Sequence, residues 1–309
     1  MRTCVIVNPA AGRGRVRRIW PQLLSRLLSA TPSLSVRWTT APAHATALTR
    51  HALLDGYKRI VAVGGDGTLH EVVNGFFDDS SLVSPEAVLA FVPCGSGSDF
   101  RHALGLPSAL PSADRLRAPR VRSLDVLRVR YTSCHPLGEG CTVRHALNIV
   151  SAGLSGAVVR RMSSSSGRLP PRLRYFTAIL RALATTRPTS VRLVLDGTPR
   201  PPVRVRLVAL ANGPSFAAGL PIAPTATPHD GRLHVTVLRA LPVASLLRHT
   251  RRFYRGTHLT LPGIDSYRAR RVALLPQSPQ RTWAEADGEQ LGRLPLSVSL
   301  LPGALDIHC

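Results

Sequence analysis

One pattern limits this chain more than any other, and it occurs three times before residue 100. A short apolar run ends in a turn of glycine and other small residues. In the clearest case Ile60, Val61, Ala62 and Val63 are β-branched or small and fit one strand of a buried sheet. Gly64, Gly65, Asp66 and Gly67 then force a turn. From Thr68 the period changes, and Leu69, Val72 and Val73 share one helical face. Strand, glycine turn, helix is the layout in which bare backbone can approach phosphate and aim N–H groups at it. The aspartate is the odd member, because a carboxylate repels phosphate unless a metal ion or a transferred proton is involved. Asp-Gly is also frequent in ordinary tight strand–helix turns, so this stretch alone leaves both explanations open.

The other two cases strengthen the ligand explanation. Residues 4–7 form an apolar run that ends in Asn8-Pro9-Ala10-Ala11-Gly12, followed by Arg13, Gly14 and Arg15. Residues 87–92 feed Pro93-Cys94-Gly95-Ser96-Gly97-Ser98-Asp99. Between them lie helical spacings at Ile19, Leu23, Leu24, Leu27 and Leu28 and over residues 45–54, with a candidate strand at 36–38. Alternation of this kind predicts a parallel, doubly wound sheet with ligands at the carboxyl ends of its strands. All three turns then fall on one edge.

After Arg122 the texture changes to strands and turns: 126–131, 141–150, 191–195, 203–212, 233–238 and 272–275, with helices over 175–184 and 243–254. The expected fold is therefore α/β plus all-β, with a doubly wound nucleotide domain over residues 1–122 and a mainly β domain over 123–295. Residues 163–167, followed by Arg168, Pro170 and Pro171, predict a mobile loop. Two later stretches add acids. Asp230 precedes a strand in a turn, and Glu285, Asp287 and Glu289 crowd together in a chain with only 17 Asp and Glu. Such a crowd can hold a metal or supply a base; a solvated hairpin turn would look the same.

The formal charge of +23 comes almost wholly from arginine, since Lys58 is the only lysine. A basic surface attracts nucleotides, anionic headgroups and nucleic acid alike. No helix-turn-helix, zinc-finger or RNA-stacking signature supports specific nucleic-acid binding. The five cysteines lack zinc-type spacing and a disulfide framework, which fits a reducing cytoplasm. Cys134 and Cys141 flank a turn as candidate cross-strand neighbours. The first residues are too short an apolar run for a signal peptide, and no stretch has the length of a membrane span. A lipid-directed protein of this kind would visit the membrane as a peripheral one. Arg248, Arg251, Arg252 and Arg255 beside Phe253 and Tyr254 are the candidate membrane-facing surface. A Walker-type loop is excluded, because Lys58 is followed by Arg59 rather than Ser or Thr.

Taken together, the motifs resemble the diacylglycerol kinase catalytic-domain family, which includes bacterial soluble lipid kinases and the sphingosine and ceramide kinases. The pieces that carry the resemblance are Asn8 to Gly12, Thr39 ahead of Ala45, Gly64 to Thr68 with Glu71 and Asn74-Gly75, and Gly95 to Phe100. Further on come Leu124-Asp125, Asn212-Gly213, Ala223-Pro224 with Asp230 to Leu233, Asp287-Gly288-Glu289, and Pro302 to Leu305. The resemblance implies an N-terminal α/β domain like those of NAD kinases and phosphofructokinases and a C-terminal β-sandwich with the lipid site. It also implies a last segment, 296–309, that returns to the first domain. It places ATP at Asn8, Pro9, Ala10, Ala11, Gly12, Thr39, Gly64, Gly65, Asp66, Gly67, Thr68, Leu69, His70 and Ser96. Asp66 would work with the catalytic Mg²⁺ and Asp125 in the network around it. Asp287 and Glu289 match the acidic pair that holds the catalytic base, with Glu289 the preferred base. Thr227, Asp230 and Arg232 match a structural Mg²⁺ loop, the first and third through backbone carbonyls.

Two positions depart from the family pattern. The third loop usually reads Gly-Thr-Gly-Asn-Asp, and Ser98 replaces the Asn amide with a hydroxyl. The tract Ala43-His44-Ala45 lacks the usual Gly. The expected activity is ATP- and Mg²⁺-dependent phosphorylation of a lipid hydroxyl, such as that of diacylglycerol, at an anionic membrane surface. A homodimer is compatible with this. The alternatives are an NAD-kinase-like nucleotide kinase, disfavoured because a second Asn-Glu motif is missing, and a regulatory relative with weakened catalysis.

Overall fold

A computed structural model describes residues 1–95, 99–118, 120–135, 138–163, 171–277 and 282–309, with the side chains of 133–135, 138–140, 163 and 171–172 left aside. Ser96, Ser98 and the loop expected at 163–167 therefore lie outside the described residues or side chains. The chain divides into two compact units, residues 1–126 with 303–309, and residues 127–302. The division falls inside the strand Val121–His135, and the strand Glu289–His308 contributes its last residues to the first unit.

The first unit is a parallel sheet. Strands β1 (Thr3–Val7), β2 (Leu34–Trp38), β3 (Arg59–Gly64) and β4 (Val88–Pro93) alternate with helices α1 (Ala11–Ala30), α2 (His44–Leu54) and α3 (Asp66–Phe76). β1 pairs with β2 on one side and β3 on the other, β3 pairs with β4, and Ile307 and His308 add a parallel edge to β4. The chain thus leaves β2 and crosses over β1, so strand order reverses beside β1. Crevices at such switch points are where open α/β sheets take ligands. Every residue of β1 is buried, as strands covered on both faces must be. Val5, Val7, Val61, Val63, Ala90 and Val92 pack with Val16, Leu23 and Leu27 of α1.

The second unit is antiparallel. Strands Ile149–Gly153, Trp283–Ala286, Glu289–His308, Arg271–Pro276, Thr189–Leu195 and Val203–Ala211 pair in that order, and the last pairs back to the first. Where Val203–Ala211 pairs with Leu233–Arg239, the register shifts by a bulge between Val205 and Leu207. Leu233–Arg239 and Ile264–Ala269 extend the sheet from there. Val208 and Leu210 point to one apolar cluster, while Leu207, Ala209 and Ala211 point to a second one with helices Leu154–Ser163 and Pro171–Thr185. Both faces of that strand are covered.

Three sequence expectations change here. The run 141–150 is two strands, Gly138–Ala146 and Ile149–Gly153, because the Leu147 and Asn148 N–H groups turn to a carboxylate instead of a neighbouring strand. The helix expected at 243–254 breaks at His249 into Val243–Arg248 and Thr250–Tyr254, where the His249 ring bonds back to the Ser245 carbonyl. Cys134 faces Glu139 and Cys141 faces Thr132, so the two cysteines are not cross-strand partners.

His308 is a buried neutral imidazole on the edge strand of the first unit. Burial first, and then the nearby Arg59 charge, push its pKa down to about 4, against a weaker opposing pull from Asp306. The unfolded chain binds that proton from about pH 6.5 downward. The stability tied to the neutral ring is therefore complete above pH 6.5 and is lost as pH falls toward 4. The loss reaches about 3 kcal/mol. Urea unfolding at pH 7, 5 and 4 should show a flatter pH dependence for His308→Gln than for the parent chain; parallel curves would contradict the assignment.

Candidate active site

The three small-residue turns stand at the carboxyl ends of β1, β3 and β4. The first begins with Asn8, whose N–H donates to the Val63 carbonyl at 3.0 Å and whose Oδ1 accepts from the Ala10 N–H at 3.0 Å. Its amide nitrogen donates to Thr68 Oγ1 at 3.0 Å. One side chain thereby ties the first turn to the helix that follows the second. Gly12, Arg13 and Gly14 then run left-handed in succession, so the regular helix begins only at Arg15. A Cβ on Gly12 would lie 2.3 Å from the Cys94 carbonyl oxygen. Only glycine allows the first turn to meet the third.

The second turn is shaped by the same economy of space. A Cβ on Gly64 would fall 2.3 Å from Thr68 Oγ1. α3 starts at Asp66, and its first N–H groups have no partner within the helix, which makes this end a natural anion site. Asp66 Oδ2 accepts the Asp99 N–H at 2.9 Å, which joins the second turn to the third. The Cys94 N–H donates to the Gly64 carbonyl at 2.6 Å, and burial raises the Cys94 thiol to about 11, so it stays neutral. Thr39 is buried, with its N–H on the Val7 carbonyl at 2.9 Å. Leu69 and His70 are buried within α3, and Asn74 donates to the His70 carbonyl at 2.8 Å. These three residues are buried, whereas Pro9 and Ala11 of the first turn are partly exposed and Ala10 is exposed. Asp125 is buried, and its Oδ1 accepts the Gly303 N–H at 2.8 Å, holding the returning segment.

Mg²⁺ in phosphoryl-transfer sites is held by one or two carboxylates plus the phosphates of the substrate, rather than by an all-protein cage. Asp66 supplies a hard oxygen donor of that type at the second turn. Among the described residues no three His, Cys, Asp or Glu side chains gather as a metal cluster, and the donor set suits an ion that arrives with a nucleotide. At the loop expected to hold a structural ion, Asp230 Oδ1 accepts the Arg232 N–H at 3.0 Å, and Oδ2 lies 2.8 Å from His234 Nε2. The Thr227 carbonyl accepts the Asp230 N–H at 3.4 Å. His234 is thus a competitor for that carboxylate.

The acidic turn belongs to the second unit. Asp287 sits at φ +50° and accepts three consecutive backbone amides: Leu147 at 2.8 Å, and Asn148 and Ile149 at 3.0 Å each. Glu285 is buried, bonded to Ser151 and to the Gly288 N–H at 2.9 Å, and Ser151 in turn bonds Ser155 at 2.7 Å. Glu289 is exposed where its strand begins. The three acids thus differ in setting, although the sequence presents them as one cluster.

In the sequence Glu71 stands out only as part of a motif. Its carboxylate accepts the Ala43 and Ala45 N–H groups at 2.9 and 3.0 Å, at the start of α2. This stabilises a helix terminus that carries no side-chain cap of its own. Ala43 itself is left-handed at φ +63°, a conformation that glycine adopts more readily than alanine.

Residues 2–129 match the diacylglycerol kinase catalytic domain, and residues 148–309 match the YegS C-terminal NAD kinase beta sandwich-like domain. The chain belongs to the family that these two domains define. It is 27% identical to a diacylglycerol kinase of Bacillus subtilis (strain 168) over 297 residues, covering 95% of this chain and 91% of the relative. A diacylglycerol kinase of Mycobacterium tuberculosis (strain ATCC 25618 / H37Rv) is 26% identical over 306 residues, covering 98% and 93%. Among solved structures, a diacylglycerol kinase from Bacillus anthracis str. Sterne has a TM-score of 0.71 at 21% identity, covering 99% of this chain and 96% of that one. Yeast NADH kinase in complex with NADH has a TM-score of 0.56 at 12% identity, covering 100% and 83%. At these identities the structural likeness is one of fold, and it places the chain in the NAD-kinase-like architecture expected from the sequence.

Ala43 provides a test of the loop before α2. An L-residue there carries about 1–2 kcal/mol of left-handed strain, against which glycine's greater unfolded freedom costs about 0.5–1 kcal/mol. Ala43→Gly should stabilise the chain by about 0.5–1 kcal/mol in urea unfolding. A destabilised variant would show that Glu71 and its neighbours have adapted to the alanine.

Proposed function

We propose that this protein is an ATP- and Mg²⁺-dependent lipid kinase that phosphorylates a hydroxyl of diacylglycerol or a related lipid alcohol. The observation that carries the reading is the cross-tied set of turns at the switch point of the first unit, joined to membership of a family defined by both domains. Backbone N–H groups at the start of α3, with Arg13 and Arg15 nearby in the chain, suit the phosphates of the nucleotide. Mg²⁺, when bound, would neutralise charge on the transferring phosphoryl group, and Asp66 is the residue suited to hold it.

The lipid hydroxyl oxygen attacks the γ-phosphorus, the bond to the β–γ bridging oxygen breaks, and ADP leaves. Glu289 takes the hydroxyl proton, as its exposed carboxylate suits. Asp287, engaged by three amides, keeps the turn in place and acts as a positioning residue. Asp125 holds the segment around Gly303. Approach to an anionic bilayer fits the exposed Arg248, Arg251 and Arg255 with the exposed Leu247 and Tyr254. Phe253, by contrast, packs inward and stacks on His258 at 4.7 Å. Among the described residues no helix is long and apolar enough to cross a membrane.

Incubation with labelled ATP, Mg²⁺ and a panel of diacylglycerol, phosphatidylglycerol, a sphingoid base and NAD should label a lipid. Asp66→Ala should lose about 100-fold or more of that rate, the scale seen when one electrostatic partner of a transition state is removed. Labelling of NAD instead, or full activity in the variant, would sink the proposal.

A further inference from the structure

The second unit contains a pocket of about 520 Å³ that the proposed chemistry does not use. It opens among Gly153, the helix Leu154–Ser163, the residues after Thr185, and Trp283. Arg160, Arg161, Arg187 and Arg206 line it, together with Thr185, Thr186, Thr189 and Thr282, and among the described residues no carboxylate lines it. The sequence around it is equally one-sided. From residue 141 to residue 195 there is no Asp or Glu, while arginine recurs throughout.

Four cations around one small space repel one another, so such a lining is costly unless an anion answers it. Three of the four groups are also held in place. Arg160 lies over the Trp283 ring at 5.1 Å, and Arg293 lies over the same ring at 4.6 Å. Arg161 donates to the Ala157 carbonyl at 3.1 Å and to Thr185 Oγ1 at 2.6 Å. Arg206 Nε donates to the Leu241 carbonyl at 2.6 Å, and burial lowers its pKa, as expected of a desolvated cation. Planar guanidinium forks pair bidentately with the oxygens of phosphate or carboxylate, and the neighbouring hydroxyls offer further donors of the kind the additional oxygens of a phosphate can use. The volume exceeds what a bare ion fills and falls in the range of small-molecule sites.

We propose that this pocket binds a phosphate ester of a small alcohol, either as the headgroup of an anionic phospholipid or as a soluble phosphate ester. It is separate from the acidic turn. Trp283 and Asp287 are four residues apart on one strand and the turn after it, roughly 13 Å at strand rise. The proposal therefore stands whether or not the kinase reading does.

Two arms test it, each with Arg160→Gln/Arg187→Gln and with Arg270→Gln/Arg271→Gln. The second pair removes the same charge from exposed positions of the same unit. In the first arm, glycerol phosphate is titrated calorimetrically at fixed ionic strength. In the second, the protein is floated with phosphatidylglycerol–phosphatidylcholine vesicles and with phosphatidylcholine alone. Saturable binding in either arm, weakened at least tenfold by the pocket pair and unchanged by the surface pair, supports the site. The arm that responds identifies the source of the phosphate. No binding in either arm, or equal losses in both variant pairs, overturns the site. Thermal melts of both variants confirm that any loss is not unfolding.

Discussion

The recurring interaction in this structure is a carboxylate that accepts backbone N–H groups. Asp66 takes the Asp99 amide, Asp125 the Gly303 amide, and Glu71 those of Ala43 and Ala45. Asp287 takes three in a row, and Glu285 takes that of Gly288. Away from the candidate site, Asp196 accepts the Arg270 and Arg271 amides. Hydrogen bonds to charged groups contribute about 1.5–3 kcal/mol each, roughly twice a neutral one. Each of these acids therefore ties together chain segments that no regular backbone ladder joins at that point, most often at the start of a strand or helix.

That use of acids gives a different meaning to the charge imbalance. With 40 Lys and Arg against 17 Asp and Glu, ion pairing is the first use to expect of the carboxylates. Pairs do form, as between Arg37 and Asp55 at 2.6 Å and between Arg239 and Asp265 at 2.7 Å, but these are at least partly exposed and contribute little. The acids that brace the candidate site point to the backbone instead. Most of the arginine charge is left to act outward, on whatever anion approaches.

The fold class was legible in the sequence because both periodicities are strong: fully apolar runs for buried parallel strands, and alternating or short runs for the antiparallel unit. The three turns were legible because glycine is required at them, as the close approach of Gly12 to Cys94 shows. The roles of individual acids were less legible. Asp287 and Glu289 stand two residues apart, yet one is engaged by amides some 140 residues away and the other is exposed. Glu71 and Ala43 depend on each other across a similar gap in kind, invisible to any local window. The basic pocket is assembled from four separate segments. The helix Leu154–Ser163 escaped notice because it follows a strand without a break and opens on serine and glycine, which are poor helix formers.

The account stands or falls on whether carboxylates organise these turns. Amide hydrogen exchange in the parent chain and in Asp287→Asn measures this directly at Leu147, Asn148 and Ile149. The account predicts exchange at least about tenfold faster at those amides in the variant, with the protection of β1 and β3 unchanged; tenfold corresponds to about 1.4 kcal/mol, below the strength of one charged hydrogen bond. Equal protection at the three amides in both proteins would contradict it.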